Sequence, residues 1–399
     1  MQELFSYQNN LLRLTDTQWH RYLYPELKKK ARLLGLKGLR GVGKTTMLLQ
    51  YLADDCPEPD KALYVTADHP YFYTNSLFDL ASQWHSYGGK FLLIDEVHKY
   101  ALWAQELKLI YDGYPDMQVY FTGSSALDLY KGEADLSRRL ETKTLQGLSF
   151  REYLSLNHNL HFERLTLEEI FTHHTEIANK MLSGIKILPL FKTYLEKGYF
   201  PFAKEIPEGA LSSRLLQVIN AVLENDLAYI KGYSASNVEK VKRLLGVIAQ
   251  SVPFEPNIAK IVDRLHISRS SVYSYLKNLK DAQILYYLYK PGKGLSKLQK
   301  PGKIYFENTS FLFAFQDNPD MGTLRETFFM NQLKNAGHQI NLSPEKGDFV
   351  IDEKFTIEIG GRNKKDKQIQ GIENSYLAID DIEFGFDRKI PLWMFGFLY

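Results

Sequence analysis

Short apolar runs alternate with longer amphipathic segments over the first 150 residues. Five such runs predict buried strands: RLLGL (32–36), ALYVT (62–66), FLLID (91–95), QVYFT (118–122) and TLQGLSF (144–150). The segments between them, such as KTTMLLQYLADD and ALWAQELKLIYDGY, carry apolar residues at helical spacing. Alternation at this spacing predicts a parallel sheet with helices on both of its faces.

The hydrophobic pattern changes after this region. Residues 156–235 have helical spacing throughout and predict a helical lid. Residues 236–318 predict three helices followed by a basic hairpin, and residues 319–399 predict a helix followed by short strands. We therefore predict four domains, the first of which spans residues 1–155.

Composition narrows the class of protein. A chain of 399 residues is longer than a domain with one ordinary hydrophobic core, so more than one domain is expected. A content of 44% hydrophobic and 24% charged residues is typical of a globular protein in water. A net charge of +2 favours no acidic partner, so affinity for nucleic acid would need a local basic patch. The single cysteine, Cys56, excludes an intrachain disulfide. With no signal peptide or long apolar span in view, we expect a cytoplasmic protein without a membrane partner.

A glycine-rich segment follows the first predicted strand and opens a predicted helix. GLRGVGKTT (38–46) fits the pattern G-x-x-x-x-G-K-[ST], in which backbone N–H groups surround phosphate oxygens. In this pattern Lys44 reaches the β- and γ-phosphates, and the Thr45 hydroxyl binds Mg²⁺. Arg40 either contacts the nucleotide or caps the site. We predict an ATP site that contains Gly38, Arg40, Gly41, Val42, Gly43, Lys44, Thr45 and Thr46.

Two adjacent acids lie at the end of the predicted strand FLLID: one is its last residue and the other follows directly. Asp95 and Glu96 lie at the carboxyl edge of the predicted sheet, where ligands of α/β folds bind. We expect Asp95 to hold Mg²⁺ and Glu96 to orient the attacking water. Ser124 or Ser125, after the next strand, is a candidate sensor of the γ-phosphate. Arg138 or Arg139 is either an arginine finger that reaches a neighbouring subunit or an ordinary surface residue.

These motifs carry a family resemblance. GLRGVGKTTMLLQYL, LLIDEVHKYALWAQELKLIYD, VYFTGSSALDL and LQGLSFREYL resemble AAA-type P-loop ATPases of bacteria and archaea that have a C-terminal winged helix and a restriction-endonuclease-like tail. The resemblance implies an α/β P-loop sheet of the additional-strand class, with a strand inserted between the two that bear the motifs. It also implies nucleotide roles for the residues at both motifs, and a homo-oligomer is an open possibility.

The segment 257–303 has the spacing of a helix-turn-helix followed by a wing-like hairpin. Val272, Leu276 and Leu279 share one helical face and are predicted to be buried. Basic residues that would then face outward or lie in the hairpin are candidates for contacts with double-stranded DNA: Arg269, Lys277, Lys293, Lys297 and Lys300. The alternative is that this domain is a lid or a docking module.

The tail contains a possible second metal site. Asp348 and Glu358 flank a predicted hairpin turned at DEK, and Glu326 lies on the preceding helix. Metal-dependent nucleases of the restriction type hold Mg²⁺ with such carboxylates, next to a lysine two residues after the second acid. Here Gly360 occupies that position, with Arg362, Lys364 or Lys365 as the nearby cations. We therefore expect a degenerate nuclease-like region without nuclease activity.

Two functions follow from these motifs. The first is Mg²⁺-dependent ATP hydrolysis, coupled to movement of the winged-helix and nuclease-like region, on DNA in one version of the hypothesis. The second is a slowly hydrolysing switch that binds DNA or protein partners according to its nucleotide state, with the C-terminal region as a binding module.

Overall fold

The computed structural model describes residues 1–29, 31–123, 136, 138–207, 209–227, 233–251, 253–255, 257–291 and 301–399. The chain forms two compact units, Met1–Gln146 and Gly147–Tyr399. Within the described residues, no helix is long and apolar enough to cross a bilayer.

The first unit contains a five-stranded parallel sheet. Its strands are β1 (Leu33–Lys37), β2 (Ala62–Thr66), β3 (Phe91–Asp95), β4 (Gln118–Gly123) and β5 (Glu141–Thr144). They lie in the order β2-β3-β4-β1-β5. Strand β4 therefore lies between β1, which precedes the phosphate loop, and β3, which ends at Asp95. This order agrees with the inserted strand that the family resemblance implies.

Helices cover this sheet, as the alternating pattern predicts. They are α1 (Gln2–Leu14), α2 (Tyr24–Leu27), α3 (Lys44–Gln50), α4 (Leu77–Ser86) and α5 (Trp103–Gly113). Strands β2 and β3 are buried along their whole length, and their side chains are mostly apolar on both faces up to the terminal Thr66 and Asp95. Leu92 and Ile94 of β3 pack in one core with Leu107 and Ile110 of α5. This core fixes the strand end that carries the acidic pair.

Strand β2 is an edge of this sheet, and α1 covers it. The Tyr64 backbone N–H donates to Gln8 Oε1 across 2.6 Å, and Gln8 is only 6% exposed. Leu4 of the same helix is buried in the core of the unit. The amide side chain of Gln8 thus satisfies a backbone group that an edge strand would otherwise leave to another partner.

The second unit begins with helices. They are α6 (Phe150–His158), α7 (Leu167–Met181), α8 (Ile187–Lys197), α9 (Leu211–Ala221), α10 (Ala235–Ala249), α11 (Ile258–Leu265), α12 (Arg269–Asp281), α13 (Thr309–Phe313) and α14 (Met321–Asn335). Its strands are β6 (Leu285–Leu288), β7 (Lys303–Phe306), β8 (Ile340–Leu342), β9 (Phe349–Ile351), β10 (Phe355–Gly360), β11 (Ser375–Ile379) and β12 (Lys389–Pro391). The last five form one mixed sheet in the order β12-β11-β10-β9-β8.

The predicted strand TLQGLSF is wrong over most of its length. Strand β5 ends at Thr144, and α6 begins at Phe150. Ser149 and Glu152 form a capping box, in which the Ser149 hydroxyl accepts from the Glu152 N–H and the Glu152 carboxylate accepts from the Ser149 N–H. This reciprocal pair starts a helix where apolar content alone suggests a strand.

Helices α6 to α8 share one hydrophobic core with the C-terminal sheet. The ring of Phe191 lies 5.2 Å from that of Phe150 and 4.8 Å from that of Phe328 on α14. The segment predicted as a lid therefore packs in part with the segment predicted as a nuclease-like tail. The predicted boundary at residue 155 falls inside α6.

Candidate functional site

The phosphate loop joins β1 to α3 through glycines whose conformations its turns require. Gly43 has φ 96° and stands directly before the first residue of α3, a left-handed conformation that favours glycine. A Cβ on Gly38 would collide with the carbonyl oxygen of Leu145. The loop therefore packs closely against the segment that follows β5, and Gly43 leads it into α3.

Lys44 is held inside this loop. Its Nζ donates to the carbonyl oxygens of Gly38 at 2.9 Å and of Leu39 at 2.8 Å. The residue is only 5% exposed, so these backbone acceptors compensate for the burial of its charge. The ammonium group is thus enclosed by the loop to which phosphate is predicted to bind.

Asp95 is the centre of a hydrogen-bond network at the end of β3. Its Oδ2 accepts from Thr45 Oγ1 at 2.6 Å and from the Tyr64 hydroxyl at 3.0 Å, and its Oδ1 accepts from Thr122 Oγ1. Burial raises the pKa of Tyr64, and the charge of Asp95 adds to the rise. The Thr45 hydroxyl and the Asp95 carboxylate are adjacent oxygen donors, the kind of ligand that Mg²⁺ prefers.

Glu96 follows with an unusual backbone conformation. It has φ 50° and ψ 39°, in the left-handed region that is uncommon for a residue with a side chain. Its N–H donates to Thr122 Oγ1 at 3.0 Å. Its Oε2 lies 3.4 Å from His98 Nε2 and 3.7 Å from Arg40 Nη2. The side chains of these two adjacent acids therefore have different partners: Asp95 contacts Thr45, and Glu96 contacts Arg40.

Arg21 supports the loop from a distant part of the sequence. It is 5% exposed, and its Nη1 donates to the carbonyl of Val42 while its Nη2 donates to the carbonyl of Gln146 at 2.8 Å. Because the guanidinium group has a fixed planar geometry, it joins the loop to the segment after β5.

Sequence reasoning missed three residues of this site: Arg21, Tyr64 and Thr122. Thr122 is the last residue of QVYFT, where one hydroxyl contacts both Asp95 and Glu96. The signal available was its position at the carboxyl end of a parallel strand next to β3. Tyr64 lies inside a buried apolar run, and Arg21 lies before the first strand, so neither position signals a contact with the site.

The remaining candidate residues of the first unit either have no contact with Asp95 or Glu96 among the described contacts, or lie outside the residues that the structure describes. Ser124 and Ser125 lie outside the described residues. Arg138 is exposed. Arg139 forms two parallel hydrogen bonds with Asp112, at 2.8 and 3.0 Å, and its guanidinium lies 5.9 Å from the Tyr111 ring centre. Of the two arginines, Arg139 thus has a partner within its own subunit.

Helices α11 and α12 occupy the two segments predicted to be helical, with His266 at φ 52° between them. Val272, Leu276 and Leu279 are buried, as predicted. The outward face of α12 exposes Arg269, Ser270, Tyr273, Ser274, Lys277 and Lys280. Strands β6 and β7 form an antiparallel pair after these helices. Lys293, Lys297 and Lys300 lie outside the described residues.

In the tail, Asp348 and Glu358 lie close together beside the hairpin of β9 and β10. These strands are antiparallel with Phe349 opposite Ile357, and the Asp348 N–H donates to the Ile357 carbonyl at 2.8 Å. The Ile359 N–H donates to Asp348 Oδ2 at 2.7 Å. The predicted turn at DEK is present, and Asp352 and Glu353 adopt φ of 51° and 56° there.

Lys364 occupies the space above Gly360. A Cβ on Gly360 would lie 2.6 Å from Lys364 Cβ and Cγ, and Lys364 Nζ forms an ion pair with Glu358 Oε1. Burial raises the pKa of Glu358, the Lys364 contact opposes the rise, and Asp348 adds to it. Of the three cations considered from the sequence, Lys364 is therefore the one that contacts the second acid.

Glu326 is engaged by other partners. The Tyr305 hydroxyl donates to its Oε2 at 2.6 Å, and Lys303 Nζ lies 4.0 Å from the same atom. Burial raises its pKa, while the hydrogen bond from Tyr305 opposes the rise. Across the described parts of the chain, no three His, Cys, Asp or Glu residues are grouped so that they could hold a metal ion.

Two family models match separate segments of the chain. Residues 30–154 match a model described as an AAA domain. Residues 188–321 match a model described as a domain of unknown function. With the glycine-rich loop and the five-stranded parallel sheet, the first match supports an AAA-type P-loop ATPase domain.

Relatives of known sequence or structure extend over most of the chain. An uncharacterized protein of Methanocaldococcus jannaschii is 28% identical over 396 residues, which cover 92% of this chain and 83% of that protein. A Walker-type ATPase of Pyrococcus abyssi is 13% identical and covers 73% of this chain and 93% of its own, with a TM-score of 0.42. AMPPCP-bound DnaA from Aquifex aeolicus is 14% identical, and the match covers 65% of this chain and 85% of the DnaA chain, with a TM-score of 0.28. These two TM-scores are too low to assign a function.

Proposed function

We propose that the first unit binds ATP with Mg²⁺ and hydrolyses it to ADP and phosphate. The observation that carries this proposal is the Asp95 network, which joins the phosphate loop to the strand end through the hydrogen bond from Thr45 Oγ1 at 2.6 Å. An acid fixed beside the loop threonine is the arrangement that P-loop ATPases use to hold a metal ion at the phosphates.

Each group of the site has a distinct role in this reaction. The loop N–H groups and Lys44 bind the β- and γ-phosphates, and Lys44 exchanges its present carbonyl acceptors for phosphate oxygens. Thr45 and Asp95 would hold Mg²⁺, which neutralises phosphate charge when bound. Glu96 accepts a proton from the attacking water as the bond between the γ-phosphorus and the bridging oxygen breaks.

Nucleotide binding and turnover test this assignment separately. Lys44→Ala should weaken ATP binding, whereas Glu96→Gln should retain binding and lower kcat by at least about a hundredfold. Lys108→Ala, at an exposed position on α5, is the matched control and should change neither. Turnover by Glu96→Gln equal to that of the wild type would contradict the role of Glu96.

The alternative is a nucleotide-dependent switch that hydrolyses slowly. Its turnover rate would be low, because hydrolysis or ADP release takes minutes. Its affinity for a partner would depend on the bound nucleotide. The ATP turnover rate with and without duplex DNA distinguishes the ATPase from the switch. An ATPase that moves its C-terminal region on DNA is expected to hydrolyse ATP faster when DNA is present.

We further propose that residues 236–318 form a winged-helix domain that contacts double-stranded DNA through α12. The exposed cations Arg269 and Lys277 on one helix face support this proposal. Replacing both with glutamine should weaken DNA binding and reduce its dependence on salt concentration. Unchanged affinity would leave this domain as a lid or docking module.

For the tail we propose a binding module rather than a nuclease. Lys364 neutralises Glu358, whose side chain is only 3% exposed, so the charge of the second acid is balanced within the protein. Plasmid DNA incubated with Mg²⁺ or Mn²⁺ should remain uncut. Cleavage that is lost in Asp348→Ala would show an active nuclease instead.

A homo-oligomer is part of the same proposal for Arg138. An arginine finger acts on the nucleotide of a neighbouring subunit, and Arg138 is exposed. Mixing Arg138→Ala with Lys44→Ala tests this directly. If the finger acts across subunits, the mixture should regain part of the turnover that each variant lacks alone.

A further inference from the structure

One carboxylate oxygen of Glu96 faces two cationic or potentially cationic groups. Glu96 Oε2 lies 3.7 Å from Arg40 Nη2 and 3.4 Å from His98 Nε2. The side chains of Glu96 and Arg40 are 20% and 23% exposed, whereas that of His98 is 1% exposed. The carboxylate thus lies between a buried imidazole and an arginine near the surface.

Arg40 belongs to the phosphate loop itself. It lies between Leu39, whose carbonyl accepts from Lys44, and Gly41, which has φ 82°. A phosphate bound in this loop would bring more negative charge to the guanidinium than Glu96 does. Guanidinium groups bind phosphate oxygens through paired hydrogen bonds, which are shorter and stronger than the 3.7 Å contact to Glu96.

We propose that Arg40 exchanges partners when ATP binds, leaving Glu96 and contacting the γ-phosphate. This inference rests on the proposed ATPase function. Arg40 would then supply, from the same subunit, a cation in addition to Lys44 that stabilises the charge on the transferred phosphoryl group. Its departure would leave the Glu96 carboxylate open to contact the attacking water only when ATP is present.

His98 has a different role in this exchange. It is buried two residues after Glu96, on the short 3₁₀ turn Val97–Lys99, and it does not lie in the loop. It therefore keeps its position near Glu96 Oε2 while Arg40 moves. The Thr122 hydrogen bond fixes the Glu96 backbone at the same time, so the carboxylate keeps its place as its partner changes.

The exchange makes a prediction that a simple ligand role does not. If ATP binding breaks the contact between Arg40 and Glu96, then removing the Glu96 charge should favour ATP binding more in the presence of Arg40 than in its absence. Relief of repulsion between Glu96 and the γ-phosphate contributes equally in both cases and cancels in the comparison.

The experiment is a four-variant cycle of AMPPCP affinity: wild type, Arg40→Ala, Glu96→Gln and the double variant. Arg40→Ala should weaken AMPPCP binding by about tenfold or more, because it removes charge-assisted hydrogen bonds. Glu96→Gln should strengthen binding by about twofold to fivefold more when Arg40 is present than in the Arg40→Ala background, as expected for an ion pair of this exposure. Equal effects of Glu96→Gln in both backgrounds would overturn the exchange.

ADP and a conservative variant complete the test. Arg40→Ala should change ADP affinity less than about twofold, because ADP has no γ-phosphate, and Arg40→Lys should regain part of the AMPPCP affinity. Equal weakening of ADP and AMPPCP would also overturn the proposal, since it would place Arg40 on the other phosphates or on the fold. A wild type that binds neither nucleotide would instead refute the ATPase function itself, and the exchange with it.

Discussion

Thr122 offers the sharpest test of how the site is held together. The change Thr122→Val removes one hydroxyl and keeps nearly the same volume at a residue that is 0% exposed. The hydroxyl donates to Asp95 Oδ1 and accepts from the Glu96 N–H at 3.0 Å. A hydrogen bond to a charged group contributes about 1.5–3 kcal/mol, and an N–H left unpaired in a buried site adds to the loss. We expect the free energy of unfolding of the first unit to fall by about 3 kcal/mol.

Hydrogen exchange followed by mass spectrometry measures this loss where it occurs. Peptides that cover β3 and β4 should exchange faster in Thr122→Val, because the openings that expose them become less costly. Thr122→Ser is the matched control: it keeps the hydroxyl and should retain most of the protection and of kcat. Equal protection of the β3 and β4 peptides in the valine and serine variants would refute the structural role of the hydroxyl.

Two further predictions concern the second unit. Burial lowers the pKa of His174, and contacts with the backbone at Ile170 and Phe171 only partly oppose this shift. The folded protein therefore binds fewer protons than the unfolded chain and loses stability as pH falls below about 6.5. His174→Leu should lessen this loss in thermal unfolding from pH 7 to 5, whereas the same change at the exposed His173 should not. Gly360→Ala should displace Lys364 from Glu358 and lower the free energy of unfolding by about 2 kcal/mol at pH 8. The loss should be smaller at pH 5, because burial raises the pKa of Glu358 and the carboxyl is then more protonated. An equal loss at both pH values would contradict this reasoning.

The parts of the fold that were predictable follow from local signals. Glycines and a lysine at fixed spacing located the phosphate loop, and a buried strand followed by two acids located Asp95. Alternating strand and helix patterns indicated a parallel sheet. The helix pair α11 and α12 could be predicted because its helices have clear apolar faces and capping residues, Asn257 and Ser268.

The parts that were missed depend on contacts distant in sequence. Arg21 reaches a carbonyl 125 residues away, and Tyr64 reaches Asp95 across 31 residues. A helical pattern shows which face of α8 is apolar, but it does not show that Phe191 packs against Phe328. Apolar content also misled the prediction for residues 144–150, because the capping pair of Ser149 and Glu152 is a polar signal inside an apolar run.

The contact between Gln8 and Tyr64 has a practical consequence for shortened forms of this chain. The AAA domain match begins at residue 30, so a fragment cut to that boundary would lack α1 and Arg21. The N–H of Tyr64 would then face water at a bare sheet edge, where strands of separate molecules can join. Such a fragment should aggregate even if its sheet and loop are intact. A fragment that starts at residue 1 and ends at Gln146 keeps this cover.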